Sequence, residues 1–367
     1  MRIINVNLGC RSYDIVVGDR IISYLNKFIS KLNLCKLQAV VVTNPSILSN
    51  HQDYFLQGLR KARDYHFIVL PASEKTKSWP VLFKVLKKVF TIDNRGDVFL
   101  VSFGGGVIGD LTGFCAAIYK RGIPYIQIPT TLLGMVDSSI GGKTGIDLEF
   151  GKNLVGAFYQ PYLVFSDLKF LETLPVKEIK NGISEIVKYG IITDPAIVDF
   201  LERNLKQIPK FKPKDWLQIV VKCAQIKAQI VEEDELDNKG VRAILNFGHT
   251  LGHALESALN YKGISHGEAV ALGMVAESIM ANRLNILKEK DLIRIINLIT
   301  SLDILPRLKV KPSSSRVLSH LKYDKKAKMG ELKVVLPVAI GKVKIISSPP
   351  LQVIKNSFRE AVKLCIK

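Results

Sequence analysis

No stretch of this 367-residue chain offers the roughly 18 to 20 unbroken apolar residues that a membrane-spanning helix needs, because Lys, Arg or Gly interrupts every candidate. A bilayer-inserted protein is therefore not expected. The opening residues, MRIINVNLGCRSYDIVVG, lack a basic start, a continuous apolar block and a small-residue cleavage site, so they read as strands and not as a secretion signal. Cysteine is scarce: Cys10, Cys35, Cys115, Cys223 and Cys365 are odd in number, scattered and without any C-x-x-C pair, which points to a reducing, cytoplasmic compartment. Acids are outnumbered, 33 Asp and Glu against 52 Lys and Arg. Residues 307–367 hold 15 basic and 3 acidic side chains but only Tyr323 and Phe358 as aromatics. That is too few rings for stacking bases, so the net charge of +19 fits a solvated surface and a small anionic ligand better than nucleic acid. No internal period of the solenoid or propeller kind is present either.

What the chain does have is apolar content, 47%, and a length that favours two domains. Up to about residue 170, short β-branched runs alternate with helical stretches: LQAVVVT, HFIVL, DVFLVSF, PYIQIPTT and YLVFSD. Such alternation implies an α/β domain with a mainly parallel sheet. Beyond Leu174-Pro175 long periodic stretches such as LQIVVKCAQIKAQIVEED and GEAVALGMVAESIMANRLN predict helices. LKVVLPVAIGKVKII is the exception, a hairpin of its own. The expected division is an α/β domain over 1–172 and a helical domain over 173–367, with the cleft between them as the default ligand site.

Gly104-Gly105-Gly106-Val107-Ile108-Gly109-Asp110 follows the strand DVFLVSF and opens a helical stretch, matching G-x-G-x-x-G. Glycines there let a backbone approach a pyrophosphate at a helix N-terminus. The ribose-binding acid of the ordinary Rossmann pattern is missing, since no Asp or Glu occurs between Asp110 and Asp137. A dinucleotide in a non-standard site and a simple tight turn both remain open. Gly141-Gly142-Lys143-Thr144 resembles the end of a Walker A loop, but Asp137 occupies the place of its first glycine, which argues against an NTPase. Lys143, and Lys152 beside Asn153, suit contacts to phosphate or carboxylate.

Of six histidines, His249, His253 and His266 fall close together. His249 and His253 are spaced i,i+4 on one helix face and could form a ligand pair, while His266, at another helix start, could equally supply the second imidazole. Glu185 in SEIVKYG is the candidate carboxylate, with Lys188 one turn later on the same face.

The segments GGGVIGDLTGF, KRG, IPTTLLGMVDSSIGGKTGID, GKNLVGAF, ISEIVKYG, ILNFGHTLGHALE and HGEAV together resemble the dehydroquinate synthase family, in order and over most of the chain. The wider superfamily, with other sugar phosphate cyclases and glycerol or polyol dehydrogenases, shares the glycine turn and metal residues but not the whole set of lysines with Asn246 and His253. The resemblance implies a Rossmann-like domain with a non-standard NAD site, an all-α metal-binding domain, and zinc or cobalt on Glu185, His249 and His266, leaving His253 for substrate. It implies NAD contacts from Glu74, Lys77, Gly105, Gly106, Val107, Asp110, Thr130, Thr131, Lys143, Lys152, Thr173 and Leu174. It assigns substrate to Asp137, Lys143, Lys152, Asn153, Lys188, Lys227, Arg242, Asn246, His253 and one lysine of Asp324-Lys325-Lys326, with Lys326 preferred. Arg121 is expected to reach the neighbouring subunit's site, so a homodimer follows.

By the same resemblance the substrate is 3-deoxy-D-arabino-heptulosonate 7-phosphate. The products are 3-dehydroquinate and phosphate, a step of the shikimate pathway toward aromatic amino acids. Neither nucleic acid nor membrane is expected as a partner. Three positions depart from the family pattern. Gly134 stands where Ala is usual, 234–242 is a residue longer than the commonest form, and Lys177 replaces an arginine. None removes a metal ligand or a glycine of the cofactor turn.

Overall fold

The computed structural model describes residues 1–93, 96–149, 151–208, 211–309, 312–321 and 331–366. The expected Lys326 contact lies outside them. The chain forms two compact units: Met1–Ile179 with Lys212–Leu236, and Lys180–Phe211 with Asp237–Lys367. The break thus comes a few residues after the expected 172, and one later segment returns to the first unit. That segment carries the helix Pro213–Glu233. Glu232 accepts the Asn7 N–H at 2.6 Å, and Glu235 takes a bidentate pair from Arg11 at 2.8 and 2.7 Å. Sequence distance hides these pairings.

In the first unit the strands are β1 (Arg2–Val6), β2 (Tyr13–Gly18), β3 (Gln38–Thr43), β4 (Asp64–Val69), β5 (Val98–Gly104), β6 (Tyr125–Pro129), β7 (Lys143–Leu148), β8 (Gly151–Phe158) and β9 (Leu163–Asp167). Seven of them form one sheet in the order β1-β2-β9-β6-β5-β3-β4. Only the β1–β2 pairing is antiparallel. Every residue of β5, β6 and β9 is buried, as expected for strands covered on both faces and built from continuous apolar runs. The chain leaves β3 for β4 on one side and β5 on the other. This reversal places a ligand-binding crevice at the carboxyl ends of β3 and β5, where Gly104 and Gly105 lie.

In sequence, Gly141-Gly142-Lys143-Thr144 resembles the end of a Walker A loop, and Lys143 and Lys152 beside Asn153 suit anion contacts. They form the antiparallel hairpin β7–β8 instead. Gly141 and Gly142, at φ 101° and 71°, turn the chain into a strand and not into a phosphate loop followed by a helix, so the Walker likeness ends there.

Among its described residues the second unit is helical apart from the hairpin of β10 (Lys333–Ala339) and β11 (Lys342–Ser347). Its central helix, His266–Arg283, is buried continuously from Ala269 to Ala281, as an all-round apolar helix must be. The helices His249–Ala258, Glu289–Ser301 and Leu351–Lys363 and the strand β10 pack against it. Among the described residues no helix is long and apolar enough to cross a membrane.

Candidate functional site

In the first unit Gly105 is the N-cap of the helix Gly106–Ile118, in an extended conformation and with no side chain to cap it. The free N–H groups of that first turn face an approach that side chains would close. A Cβ on Gly105 would stand 3.0 Å from Thr131 Cγ2, and one on Gly106 would stand 3.1 Å from Ser138 Oγ. Thr130, whose N–H donates to Gly104 O at 3.0 Å, brings the end of β6 beside the turn. The geometry suits a bound pyrophosphate.

Lys77 organises the polar groups near this turn. It is 4% exposed, and its Nζ donates to Asp110 Oδ2 at 2.7 Å and to Asn153 Oδ1 at 2.5 Å, with Asp147 at 4.0 Å. Burial alone would lower its pKa, but the Asp110, Asp147 and Glu74 carboxylates outweigh it and push it up, keeping the ammonium charged. Lys152 pairs with Glu74 at 3.7 Å, and Lys143 lies 5.9 Å over the Phe158 ring. These contacts join Glu74, Lys77, Asp110, Lys152 and Asn153 from three separate segments. Asp147, which the sequence did not single out, accepts the Asn153 N–H at 2.8 Å and holds that residue at φ 53°. Thr173 is held differently, with its hydroxyl 2.7 Å from the buried His51 Nε2.

Asp137 sits in the single wide turn Gly134–Ser138. Its Oδ1 accepts from Lys227 Nζ at 2.7 Å, so two of the expected substrate residues meet. An alanine in place of Gly134 would put its Cβ 2.8 Å from Pro129 Cβ, so the glycine lets this turn pack closely against the end of β6.

In the second unit Glu185 and Lys188 share the helix Val176–Ile192. Both are buried, at 0% and 1% exposed, and their side chains form an ion pair. His266 is the first residue of its helix because Ser265 and Glu268 build a reciprocal capping box: Glu268 accepts the Ser265 N–H at 2.7 Å while Ser265 Oγ faces the Glu268 N–H at 3.4 Å. His249 opens another helix after Gly248, an N-cap at φ 78° with no side-chain cap.

Glu185, His249 and His266 each present a ligand atom within 4.8 Å of the others. Both imidazoles aim Nε2 at Glu185 Oε1, at 3.4 and 3.8 Å. Their Nδ1 atoms are turned to other acceptors, the Phe247 carbonyl at 3.1 Å for His249 and Glu256 Oε2 at 3.5 Å for His266. A proton held on Nδ1 in this way leaves Nε2 as the donor, the arrangement metal-bound imidazoles adopt. Two imidazoles and one carboxylate, with coordination positions to spare, fit a catalytic zinc or cobalt ion.

Burial pulls the His249 imidazole well below its ordinary value. For His266 burial acts the same way, but the Glu185 and Glu256 carboxylates outweigh it and push the ring up to about 10. A dication in this position would replace that proton.

His253 is exposed, with ring centroids 5.2 Å from His249 and 5.9 Å from His266. It also groups with Glu256 and His266, although that set is more open and lacks Glu185. Arg242 is 3% exposed and shares the short helix Val241–Asn246 with Asn246. Glu256 and Glu277 escaped the sequence reading. Glu277 is 0% exposed. Burial drives its carboxyl up to about 8, against the pull of the Gly248 and Leu251 N–H groups.

Arg121 is exposed, at φ 66° between Lys120 at φ 48° and Gly122 at φ 123°. Lys120 pairs with Asp93 at 2.6 Å, whereas Arg121 has no ion pair among the described residues.

Residues 67–181 match the family model described as 3-dehydroquinate synthase N-terminal, and residues 182–327 match its C-terminal counterpart. A 3-dehydroquinate synthase from Thermodesulfovibrio yellowstonii is 39% identical over 347 residues, covering 94% of this chain and 96% of the relative. Two solved cyclases share the architecture. A 2-deoxy-scyllo-inosose synthase complexed with carbaglucose-6-phosphate, NAD+ and Co2+ superposes with a TM-score of 0.88 at 26% identity, over 98% of this chain and 100% of the other. A 2-epi-5-epi-valiolone synthase from Streptomyces hygroscopicus with NAD+ and Zn2+ bound gives 0.86 at 25%, over 96% and 97%.

Proposed function

The chain belongs to the 3-dehydroquinate synthase family, and from that premise we propose how its own residues divide the work. The reaction converts 3-deoxy-D-arabino-heptulosonate 7-phosphate to 3-dehydroquinate and phosphate, and the enzyme depends on NAD and a divalent metal. When bound, NAD accepts a hydride and gives it back, while the metal polarises the substrate hydroxyl.

Glu185, His249 and His266 hold the metal. Glu74, Lys77, Asp110, Thr130, Thr131, Thr173 and Leu174 hold NAD around the glycine turn Gly105–Val107. Lys143, Lys152, Asn153, Lys188, Arg242 and Asn246 bind a substrate carrying a carboxylate and a phosphate. Lys227 fixes the orientation of the Asp137 carboxylate by its 2.7 Å hydrogen bond. That leaves Asp137 and His253, which stands outside the ligand set, as the residues that move protons at the substrate.

The observation that carries this assignment is the buried ammonium of Lys188 against the metal ligand Glu185. Once a dication draws on Glu185, an anionic substrate offers this ammonium a further partner that a neutral polyol does not. Lys188→Met is expected to lower kcat/KM for the heptulosonate phosphate by at least roughly 30-fold, the lower end for truncating a buried charge contact. Bound zinc should remain near stoichiometric, because the dication satisfies Glu185. A loss below threefold would remove Lys188 from the substrate site.

We also place the enzyme in the cytoplasm, consistent with five free thiols, and as a homodimer. Two surface features support the dimer. Arg121 projects from its strained loop without an ion pair among the described residues, and the helix Trp79–Ile92 exposes Trp79, Phe83 and Phe90, at 56%, 65% and 71%, on an apolar face of the kind that partners cover.

A further inference from the structure

The helix that carries His249 begins without a cap of its own. Gly248 has no side chain, so the N–H groups of the first turn need an acceptor from elsewhere. Glu277 supplies it. Its Oε2 accepts from Gly248 N at 2.5 Å and its Oε1 faces Leu251 N at 3.4 Å: the N-cap N–H and the N3 N–H, the two donors that a local capping box satisfies reciprocally. Glu277 belongs to the helix that His266 opens, three turns further on.

The two helices also approach too closely for side chains at their contact. A Cβ on Gly273 would come within 1.9 Å of Gly248 O, and one on Gly248 within 2.5 Å of Met274 Cγ. A carboxylate with 0% exposure is a costly way to fill a helix interface, since apolar residues of similar volume pack there without desolvating a charge. Its worth lies in direction: its two oxygens meet two fixed N–H groups, and those N–H groups favour the ionised form with two acceptors against the burial that raises its pKa.

We propose that Glu277 is a positioning residue for the metal centre, a cap supplied from the His266 helix that sets where His249 stands relative to His266. The inference rests on the assignment of the metal to Glu185, His249 and His266. Glutamine is the informative replacement. It matches glutamate in size, but its amide has one acceptor oxygen, and its NH2 would face a backbone N–H. Aspartate keeps both acceptors and loses reach.

Chelator competition with zinc, and the visible absorption of the cobalt-loaded protein, read the outcome. Glu277→Gln should weaken zinc about 10-fold or more, the usual cost of losing a group that orients a metal ligand. It should also shift the cobalt bands, while NAD affinity, which belongs to the other unit, stays within twofold. Glu277→Asp should fall between wild type and Gln. A folded Gln variant with wild-type zinc affinity and cobalt spectrum would overturn the proposal, even if its melting temperature fell, because that pattern marks a purely structural residue. If Gln does not fold, an Asp variant with wild-type affinity and spectrum overturns it equally. Should the wild-type chain itself bind no zinc or cobalt, or bind it undiminished after Glu185→Gln, the metal assignment fails first and the positioning role with it.

Discussion

Removal of metal by a chelator is expected to abolish activity, and zinc or cobalt to restore it. The expectation comes from the donor set: two Nε2 atoms face one carboxylate oxygen, at 3.4 and 3.8 Å, while both Nδ1 atoms are occupied elsewhere. Glu185→Gln, His249→Ala and His266→Ala should each weaken metal binding by more than about 100-fold, because losing a residue that merely orients a ligand already costs about 10- to 100-fold. His253→Ala should behave differently. Its ring lies outside the buried set, so metal content should hold while turnover falls by about 10²- to 10⁴-fold, the range for losing a general acid or base. Metal analysis after gel filtration, paired with activity, separates the two classes. If His253→Ala emptied the site and His266→Ala left it filled, the i,i+4 pair on the His249–Ala258 helix would be the ligand set.

Mixing two inactive variants should restore activity. Arg121→Ala removes the side chain proposed to act in a neighbouring subunit, and Lys188→Met disables the site within its own chain. In a heterodimer, one of the two sites then combines an intact Lys188 with an intact Arg121. Statistical exchange between equal amounts would place half of the molecules in mixed dimers, each with one working site, so about a quarter of wild-type activity is expected. The loop supports the arrangement, since Arg121 is exposed in the middle of three consecutive residues at positive φ and Lys120 takes the nearby Asp93. Absence of recovery, with subunit exchange shown by tagged copies, would make Arg121 an ordinary solvated arginine.

Much of the fold was legible because its signals are local. The apolar runs of β3, β5, β6 and β9, alternating with helical stretches, read as strands, and LKVVLPVAIGKVKII read as a hairpin. Glu185 and Lys188 were placed on one face by helix periodicity, and HGEAVALGMV read as a helix start at His266. What could not be read depended on partners far away in sequence. The helix Pro213–Glu233 joins the first unit through contacts such as Asn7 to Glu232, 225 residues apart. The β7–β8 hairpin was masked by its glycines, which look like turn residues. In the structure Gly145 and Gly156 face each other across the two strands, and a Cβ on Gly156 would meet Thr144 O at 2.0 Å.

By spacing alone the ligand set stayed ambiguous between His253 and His266. The resemblance chose His266, and the side-chain geometry gives the physical reason, because the buried Glu185 faces both His249 and His266. Glu277 did leave a trace in the sequence: a lone acid in the apolar run ALGMVAESIMA on a helix with no polar face. Its meaning required seeing that the neighbouring helix lacks a cap.

The hydride taken from the substrate is expected to return to the same molecule, so that NAD is required and not consumed. Metal- and NAD-loaded protein should therefore be given the heptulosonate phosphate while inorganic phosphate and absorbance at the NADH band are followed together. Phosphate should appear in step with dehydroquinate, over many turnovers per NAD, while free NADH stays flat. Steady accumulation of NADH from a bound substrate, with no phosphate released, would identify a simple dehydrogenase and contradict the account.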